Sequence, residues 1–328
     1  MKKFAKLLFL VLIATSVAFV GCNRDDDDDN GSGTPTPTPT PSFEILKTYV
    51  TSNSLDLDAI LNGWIIDAAG VNAKGADQYF IIDIRGANDF AAGHIANAVN
   101  STLPEVLTHA ATATKPILVV CASGQTAGQA VVALRLSGYA DAKVLKWGMA
   151  GWNSAYAGIW TNNTGDAAIG NASWVPVPGQ NAATGTFTDP SFTSTFTDGA
   201  ALLEERVDML LNRATPWGVA NTAVLTSPAN YFINNYWADA DVVLYGNITG
   251  AYRINPFTFG DGTYLGLDAS KTIVTYCWTG QTSSMITAYL YVMGYDAVSL
   301  KFGANGMIYT NLQSHKYSVP ATEYPVVP

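Results

Sequence analysis

One six-residue pattern occurs twice in this chain and constrains its fold more than any other feature. The segments 121–126 and 277–282 both read Cys-x-x-Gly-Gln-Thr. An apolar, β-rich run precedes each copy and is typical of a buried strand. A helical stretch follows each copy and ends at a Gly-Tyr pair, where glycine supplies the left-handed residue that commonly terminates a helix. The sequence therefore predicts a unit of strand, Cys-led loop and helix that the chain contains twice.

This arrangement predicts a particular chemistry for the two cysteines. A loop that enters a helix points several free backbone N–H groups into one concavity, which favours an anion. We expect a thiol there to ionise easily, because thiols at helix N-termini have pKa values of roughly 3.5–7.5 instead of about 8.5. The thiolate is a nucleophile, and the same N–H groups would hold the terminal sulfur of a persulfide. The alternative is a pair of buried structural cysteines. The repeated context favours the functional interpretation.

The two loops supply most of the candidate site residues. Cys121 and Cys277 are the predicted catalytic nucleophiles. Trp278 would either wall a pocket or pack against the neighbouring domain. The predicted substrate-binding residues of the loops are Ala122, Ser123, Gly124, Gln125, Thr126, Trp278, Thr279, Gly280, Gln281 and Thr282.

Motifs around the first loop add a family resemblance. The pattern Cys-x-x-Gly-x-Thr between a strand and a helix resembles the active loop of rhodanese-type sulfurtransferases. The segments 82–85 (Ile-Asp-Ile-Arg), 88–90 (Asn-Asp-Phe) and 93–95 (Gly-His-Ile) are similar to the amino-terminal signature of that family. The segment 146–152 is similar to the carboxy-terminal one. The resemblance covers about 43–157 for the first copy and about 198–318 for the second, as in tandem sulfurtransferases.

The resemblance implies roles for three residues near the first loop. Asp83 and Arg85 form a largely structural pair in the family, and Arg85 is also a candidate for binding an anion. His94 is expected to form hydrogen bonds rather than to act as a base. Neither loop contains Arg or Lys, whereas family members that favour thiosulfate usually carry a cation there. Specificity for thiosulfate is therefore not implied.

The second copy departs from the first at its front end. The run 223–225 (Ala-Val-Leu) is predicted as its first strand, and 229–232 is aligned with 87–90. This alignment makes 233–245 an insertion. It also places Leu225, Ser227 and Asn247 where the first copy has Asp83, Arg85 and His94. We therefore expect the first copy to be the better catalyst.

Strands that alternate with helices predict an α/β fold with mostly parallel sheets. Helical periodicity is expected at 43–50, 55–69 and 202–211, and strands at 79–83, 98–100 and 144–145. The resemblance implies two rhodanese-like, three-layer α/β/α domains at 43–160 and 198–328. A connector at 161–197, rich in Asn, Thr, Gly and Pro, joins them.

The beginning of the chain predicts export and a lipid anchor. Three Lys precede an apolar run at 7–20 that is too short to span a membrane, so 1–21 is predicted as a signal peptide. Phe19-Val20-Gly21-Cys22 resembles a bacterial lipobox, which implies cleavage before Cys22 and lipidation of this residue. An ordinary cleaved signal is the alternative. Residues 22–42 carry an acidic run and Thr-Pro repeats and are predicted as a disordered tether. The expected location is the bacterial cell envelope, on the outer membrane and facing either the periplasm or the surface.

Composition excludes several classes of function. The net charge of −9 and the lack of a basic patch argue against binding to nucleic acid. With three Cys, three His and no cluster of these residues, we expect no metal site, and no cofactor is implied. With Cys22 assigned to a lipid, Cys121 and Cys277 are expected to remain separate thiols, one in each domain.

These observations predict an enzyme that moves sulfane sulfur from a small donor to a thiol or cyanide through a cysteine persulfide. The resemblance implies the thiosulfate/3-mercaptopyruvate type, with the donor left open. The alternative is a non-catalytic rhodanese-like module that binds anions or proteins at the cell envelope. A cysteine in both loops favours the enzyme, whereas loops without cations favour the binding module.

The lipobox-like ending generates a direct test. We expect the mature chain to begin at Cys22 and to carry acyl chains, so Cys22→Ala should release the protein from the membrane. The intact mass of protein extracted from membranes measures both features. A mature chain that begins elsewhere, or an unmodified Cys22, would contradict the prediction.

Overall fold

Two sheets of parallel strands organise residues 40–328, which are the residues that the computed structural model describes. The predicted signal peptide, Cys22 and the predicted tether as far as residue 39 lie outside these described residues. The strands are β1 (Ile65–Ile66), β2 (Phe80–Asp83), β3 (Val99–Asn100), β4 (Ile117–Val120), β5 (Lys143–Leu145), β6 (Trp174–Val175), β7 (Gly218–Val219), β8 (Phe232–Asn235), β9 (Asn247–Ile248), β10 (Ile273–Tyr276) and β11 (Ala297–Leu300).

Helices connect these strands and cover the sheets. The α-helices are α1 (Ser42–Ser52), α2 (Leu57–Leu61), α3 (Ala68–Lys74), α4 (Ala87–Ala91), α5 (Val106–Ala110), α6 (Thr126–Leu136), α7 (Met149–Trp152), α8 (Gly158–Thr161), α9 (Gly199–Leu211), α10 (Asn221–Thr226), α11 (Asp239–Tyr245) and α12 (Gln281–Val292). No helix within residues 40–328 is long and apolar enough to cross a membrane.

Four strands of the first sheet have a counterpart strand in the second. The first has the order β1-β5-β4-β2-β3 and the second β7-β11-β10-β8, and all neighbouring pairs are parallel. An isolated bridge between Asn234 and Tyr252 lies in the second sheet where β3 lies in the first. The predicted α/β class with mostly parallel sheets is confirmed. We refer to residues 42–161 as the first half and to residues 199–312 as the second half.

Helices lie on both faces of each sheet, and the two sheets share one helical layer. The largest buried cluster contains residues of α1, α6, α9 and α12 together with the inner faces of both sheets, such as Val119 and Ile273. Separate buried clusters cover the outer faces. In the first half, α3 and α7 pack there, and in the second half α10 and α11 do. The largest cluster is therefore continuous between the two halves.

The register of the strands corrects the sequence alignment of the second copy. β2 pairs with β4 so that Asp83 lies beside Val120, and β8 pairs with β10 so that Asn235 lies beside Tyr276. Because Val120 and Tyr276 each precede a loop cysteine, Asn235 is the counterpart of Asp83. The predicted assignments of Leu225 to Asp83 and of Ser227 to Arg85 are wrong.

The same register removes the predicted insertion. The run 223–225 belongs to helix α10, the counterpart of α3, while 233–245 contains most of β8 and all of α11. Val224 and Leu225 are buried on one side of the helix, so their apolar character reflects amphipathicity rather than a strand. Strand β8 ends in two Asn, which have low β-propensity, and this hides the strand in the sequence.

The predicted helix at 55–69 is also wrong, because the chain breaks there into α2, β1 and α3. The Asp56 carboxylate accepts a hydrogen bond from Leu57 N at the start of α2, and the Asp67 carboxylate accepts one from Gly70 N at the start of α3. Between these caps, Gly63 has a φ of +58°, a left-handed conformation that interrupts any helix. The apolar spacing suggested one helix, whereas the capping residues define two.

The predicted connector is not a free linker. Strand β6 pairs antiparallel with β9, and Ala182 N and Phe187 N donate to the carbonyls of Ala251 and Leu265 in the second half. The last segment of the chain returns to the first half. There Trp152 Nε1 donates to Pro325 O, and Val327 forms a β-bridge with His94. Both segments lie along other parts of the protein, and the domain boundaries drawn from the sequence stay predictions.

Asp56 provides a test of how tightly the halves are joined. Its carboxylate also accepts hydrogen bonds from Phe259 N at 3.0 Å and Gly260 N at 2.8 Å in the second half. We expect Asp56→Ala to lower the free energy of unfolding by about 2–4 kcal/mol, because several buried N–H groups lose a charged acceptor. The exposed Asp58, which bonds only Ala59 N, is a matched control, and Asp58→Ala should cost less than about 1 kcal/mol. Urea unfolding measures both changes, and equal losses would contradict this role for Asp56.

Candidate active site

Cys121 lies at the carboxyl end of β4, at the start of the loop that enters α6. Its Sγ accepts hydrogen bonds from Gly124 N at 3.1 Å and Ala127 N at 3.4 Å. Gly124 has a φ of +78°, which turns the loop back over the sulfur. The side chain is buried, with 5% of Cys121 exposed. The loop therefore has the geometry that the sequence predicted, and the sulfur lies inside it.

The electrostatic consequence differs from the sequence prediction. Burial raises the pKa of the Cys121 thiol, and the carboxylate of Asp83 adds to this rise. The N–H groups of Ala127, Ser123 and Gly124 lower the pKa but do not outweigh the loss of hydration. The expectation of an easily ionised thiol considered only the N–H groups. Both Cys121 and Cys277 are free thiols, as expected.

The segment after β5 closes the back of the loop. Met149 N donates to Cys121 O at 2.9 Å, and Ala150 N donates to Ala122 O at 3.3 Å. Gly148 lies so close that a Cβ there would overlap the Cys121 carbonyl oxygen. The segment 148–150 therefore fixes the carbonyl groups of Cys121 and Ala122, the first two residues of the loop. This contact gives the carboxy-terminal signature a structural role.

A cavity of about 400 Å³ lies beside the Cys121 loop, within the usual size range of small-molecule sites. Ala122 and Met149 form the side nearest the cysteine, and Arg85 lines it from the end of β2. The exposed carboxylate of Asp89 is also part of the lining. The complete lining is Arg85, Asp89, Ala92, Ala122, Met149, Tyr156, Gly158, Ile159, Asn162 and Asn163.

Arg85 forms a buried ion pair and also contacts the cavity. Its Nη2 lies 2.6 Å from Asp83 Oδ2 and 2.8 Å from Gly93 O, and its guanidinium lies 5.3 Å from the ring centre of Tyr156. The implied structural pair is therefore present. Because Asp83 balances the charge of Arg85 and Asp89 adds a negative charge, the cavity does not compensate a doubly charged anion. His94 bonds Phe90 O through Nδ1 and stacks on the Phe90 ring, in agreement with a hydrogen-bonding role.

Cys277 occupies the corresponding loop of the second half but has different hydrogen bonds. Ser283 stands where the first half has Ala127, and Cys277 Sγ lies 3.4 Å from Ser283 N and 3.5 Å from Ser283 Oγ. Ser283 Oγ lies 2.7 Å from Ser299 Oγ, which donates to Gly280 O. Since Ser299 donates to a carbonyl, the Ser283 hydroxyl donates to Ser299, and Ser283 Oγ accepts from the thiol. Cys277 is therefore a hydrogen-bond donor in a buried chain of hydroxyl groups.

Aromatic rings fill the position next to Cys277 that the cavity occupies beside Cys121. Trp237, the counterpart of Arg85, stacks on Trp278 with ring centres 4.4 Å apart. His315 stacks on Trp278 at 5.1 Å, and Tyr245 packs edge-on against it at 5.4 Å. Trp278 thus packs against rings of its own half and of the segment that directly follows it, rather than against the first half. In the second half, Asn235 and Trp237 thus stand in place of the Asp83–Arg85 pair, and Trp237 is itself one of the stacked rings.

The two loop glutamines do not line the cavity beside the Cys121 loop. Gln125 and Gln281 are both 1% exposed and cross between the halves. Gln125 Oε1 accepts a hydrogen bond from Phe302 N at 2.8 Å, and Gln281 Nε2 donates to Ser123 O at 3.4 Å. Gly124 and Gly280 permit this crossing, because a Cβ on either would overlap the glutamine amide of the other loop. Their assignment to substrate binding stays a prediction, and in the structure both side chains join the two loops.

The remaining loop residues have local partners. Ser123 Oγ accepts from Gln125 Nε2, and Thr279 Oγ1 accepts from Gln281 N, so each hydroxyl supports its own loop. Thr126 and Thr282 lie at the entry to the helices and are half-buried. Of the predicted binding residues, only Ala122 and Arg85 line the cavity.

The sequence did not indicate several residues of these sites. Tyr156, Asn162 and Asn163 reach the cavity from α8 and its neighbours, at the edge of the stretch interpreted as a connector. Trp237 was missed because the alignment placed its segment in an insertion. The segment 233–237 (Ile-Asn-Asn-Tyr-Trp) corresponds position by position to 81–85 (Ile-Ile-Asp-Ile-Arg). This correspondence was the available signal for Trp237. Within residues 40–328, no group of His, Cys, Asp and Glu is arranged to hold a metal ion.

Comparisons with known proteins match the part of the chain that contains the Cys121 loop. The sequence model described as "Rhodanese-like domain" matches residues 68–155. Two curated proteins from strains of Escherichia coli, both called "Uncharacterized protein YibN", are 35% identical over 77 residues. The match covers 22% of this chain and 54% of theirs, so the chain spans about half the length of these relatives.

Solved structures that are similar to part of this chain include a rhodanese-related protein from Thermoplasma volcanium. It is 25% identical, with coverage of 26% of this chain and 86% of that one and a TM-score of 0.24. A thiosulfate sulfurtransferase from Pseudomonas aeruginosa is 16% identical, with coverage of 85% of this chain and 49% of that one and a TM-score of 0.29.

The burial of Cys121 generates a prediction about pH. Because burial raises the pKa of its thiol above the ordinary value of about 8.5, little thiolate is present at neutral pH. We expect the rate of alkylation at Cys121 to rise roughly tenfold per pH unit from pH 7 and to level off only above about pH 8.5. Iodoacetamide labelling, read on the Cys121 peptide by mass spectrometry, measures this rate. A rate that is already constant at pH 7 would show that the loop N–H groups dominate over burial.

Proposed function

Because residues 68–155 form a rhodanese-like domain, we propose that this protein is a sulfurtransferase that carries sulfane sulfur as a persulfide on Cys121. The observation that carries the proposal is the position of the Cys121 sulfur. It accepts the N–H groups of Gly124 and Ala127, beside a cavity of about 400 Å³. A nucleophile, groups that stabilise its negative charge and space for a small molecule are thus adjacent.

The reaction needs only two sulfur substitutions. In the first, the Cys121 thiolate attacks the sulfane sulfur of the donor, an Sγ–S bond forms, and the donor group leaves with the electron pair of the broken bond. In the second, a thiolate or cyanide attacks the terminal sulfur, and Sγ leaves as the thiolate. The N–H groups of Gly124 and Ala127 stabilise the charge on Sγ before the first step and after the second. No oxidant or cofactor is consumed.

The surroundings of Cys121 favour a donor with little negative charge. The charge of Arg85 is balanced by Asp83, and Asp89 adds a carboxylate to the cavity lining. A doubly charged donor such as thiosulfate therefore gains little from this cavity. We accordingly propose a small, weakly charged sulfur donor and a thiol or cyanide acceptor.

We propose that the second half is catalytically silent. Trp237, Trp278 and His315 stack at the position of the cavity, and the Cys277 thiol donates to the buried hydroxyl of Ser283. The rings stand on the side of the Cys277 loop that corresponds to the cavity beside Cys121 and would hinder a donor there. The earlier expectation that the first copy is the better catalyst therefore gains support, although the alignment that first suggested it was wrong.

The setting of the enzyme is proposed from the sequence. The lipobox-like segment ending at Cys22 supports attachment to a membrane of the bacterial cell envelope, with residues 22–42 as the spacer. The net charge of −9 disfavours nucleic acid as a partner. The mass of the mature amino terminus tests the attachment independently of the sulfur chemistry.

Matched serine variants of the two cysteines test the proposed function. We expect Cys121→Ser to reduce turnover on the order of a thousandfold, because the nucleophile is lost, and Cys277→Ser to leave it within about twofold. Turnover with thiosulfate and 3-mercaptopyruvate, and persulfide detected on the intact protein, are the measurements. Both should be made on reduced protein at alkaline pH, because the raised pKa of Cys121 leaves little thiolate at neutral pH.

The alternatives give different results. Activity that depends on Cys277 and survives Cys121→Ser would reverse the assignment of the two halves. A wild-type protein that forms no persulfide with any donor, yet binds anions or a protein partner, would identify a non-catalytic binding module.

A further inference from the structure

The peptide between Ser123 and Gly124 is held from both sides. On one side, Gly124 N donates to Cys121 Sγ at 3.1 Å. On the other, Ser123 O accepts a hydrogen bond from Gln281 Nε2 at 3.4 Å. Gln281 is the first residue of α12, in the second half of the chain, and it is 1% exposed. A residue of the silent half is therefore bonded to the peptide that supplies an N–H group to the nucleophile.

The geometry of a peptide makes this contact directional. The C=O of Ser123 and the N–H of Gly124 belong to one planar trans unit and point in opposite directions. A donor that fixes the carbonyl thus also fixes the direction of the N–H. Gly124 requires such help, because glycine has more conformational freedom than any other residue and its φ here is +78°. Without Gln281, the Ser123–Gly124 peptide is free to rotate, and the Gly124 N–H points at Cys121 Sγ for less of the time.

The contact also has an electrostatic effect. A hydrogen bond to a carbonyl polarises the amide and strengthens the N–H on the same peptide as a donor. That N–H lowers the pKa of the Cys121 thiol, against the opposing effect of burial. Gln281 therefore acts on the thiolate through one peptide, although it does not contact the sulfur or line the cavity.

Neighbouring contacts keep Gln281 in place. Ser284, one turn along α12, donates from Oγ to Gln125 O at 2.7 Å and accepts from Gln129 Nε2 at 2.9 Å. The amide of Gln281 lies against Gly124, where any Cβ would overlap it. Gln129 and Ser284 are fully buried. The start of α12 is thus fastened to the Cys121 loop at more than one point.

From these contacts we infer that Gln281 is a positioning residue for Cys121, supplied by the second half to the active loop of the first. The inference rests on the proposed role of Cys121 as the sulfur carrier and adds a reason for the second half: its Cys-led loop contributes Gln281 rather than a second nucleophile.

The test compares two buried glutamines of the same interface in the full-length protein. Gln281→Met keeps the length of the side chain and removes its hydrogen bond to Ser123 O. Gln129→Met removes a buried hydrogen bond to Ser284 but leaves the Ser123–Gly124 peptide untouched. The readout is the pH dependence of iodoacetamide alkylation on the Cys121 peptide, with the urea unfolding midpoint as a measure of stability.

We expect Gln281→Met to slow alkylation of Cys121 roughly three- to tenfold at pH 7.5 and to move the pH profile upward. Gln129→Met should lower the unfolding midpoint and move the pH profile much less than Gln281→Met does, because the bond from Ser284 Oγ to Gln125 O still fastens the start of α12. In turnover assays, Gln281→Met should lower kcat at unchanged KM, because the residue does not line the cavity. If Gln281→Met gives no folded protein, Gln281→Asn replaces it, since the shorter amide cannot reach Ser123 O.

A wild-type pH profile in the folded Gln281 variant, or equal shifts in both glutamine variants, would overturn the inference. The labelling assay does not require sulfurtransferase activity. A protein without turnover would therefore refute the proposed function, while the pH profiles would still decide the role of Gln281.

Discussion

The close packing of α6 against α12 determines where both cysteine loops lie. Each helix begins directly after its loop, so the contact between the helices also brings the loops together. Small residues make this possible: a Cβ on Gly128 would approach Ser284 Oγ within 3.2 Å, and Gln129 reaches across to the same serine. Glycines at 124 and 280 then leave room for the crossing glutamines. The two halves are therefore joined through α6 and α12, the helices that follow the two cysteine loops.

Within this shared frame, the two halves have diverged at the ends of equivalent strands. A buried pair of opposite charges, Asp83 and Arg85, leaves a cavity open beside Cys121. The corresponding Asn235 and Trp237 carry no charge, and stacked rings take up the space. Burying unpaired charge is costly, so replacing only one member of the pair would have destabilised the site. The second half avoids that cost by having neither charge.

Much of the frame was predictable from the sequence because its signals are local. Continuous apolar runs identified β4 and β10, and glycines identified the ends of α6 and α12, where Gly138 and Gly294 have positive φ. What failed depends on tertiary structure. Strand β8 was hidden by the polar residues Asn234 and Asn235. The polarity of Asn234 is tolerated because its Oδ1 accepts a hydrogen bond from Ile254 N. The role of Gln281 was likewise invisible, since a polar loop residue gives no sign that it faces another loop. The pKa of Cys121 was misjudged because hydration depends on the whole neighbourhood and not on the loop alone.

The return of the last residues to the first half has a consequence for the order of folding. Pro325 bonds Trp152 and Val327 bonds His94, so the whole second half lies between the partners of each pair. During synthesis from the amino terminus, the residues of the first sheet are therefore made long before the segment that completes the outer surface of that sheet. Contacts of such sequence separation slow folding and leave intermediates exposed. The first half cannot reach its final form until the second half has been made. The folding of the two halves is therefore coupled.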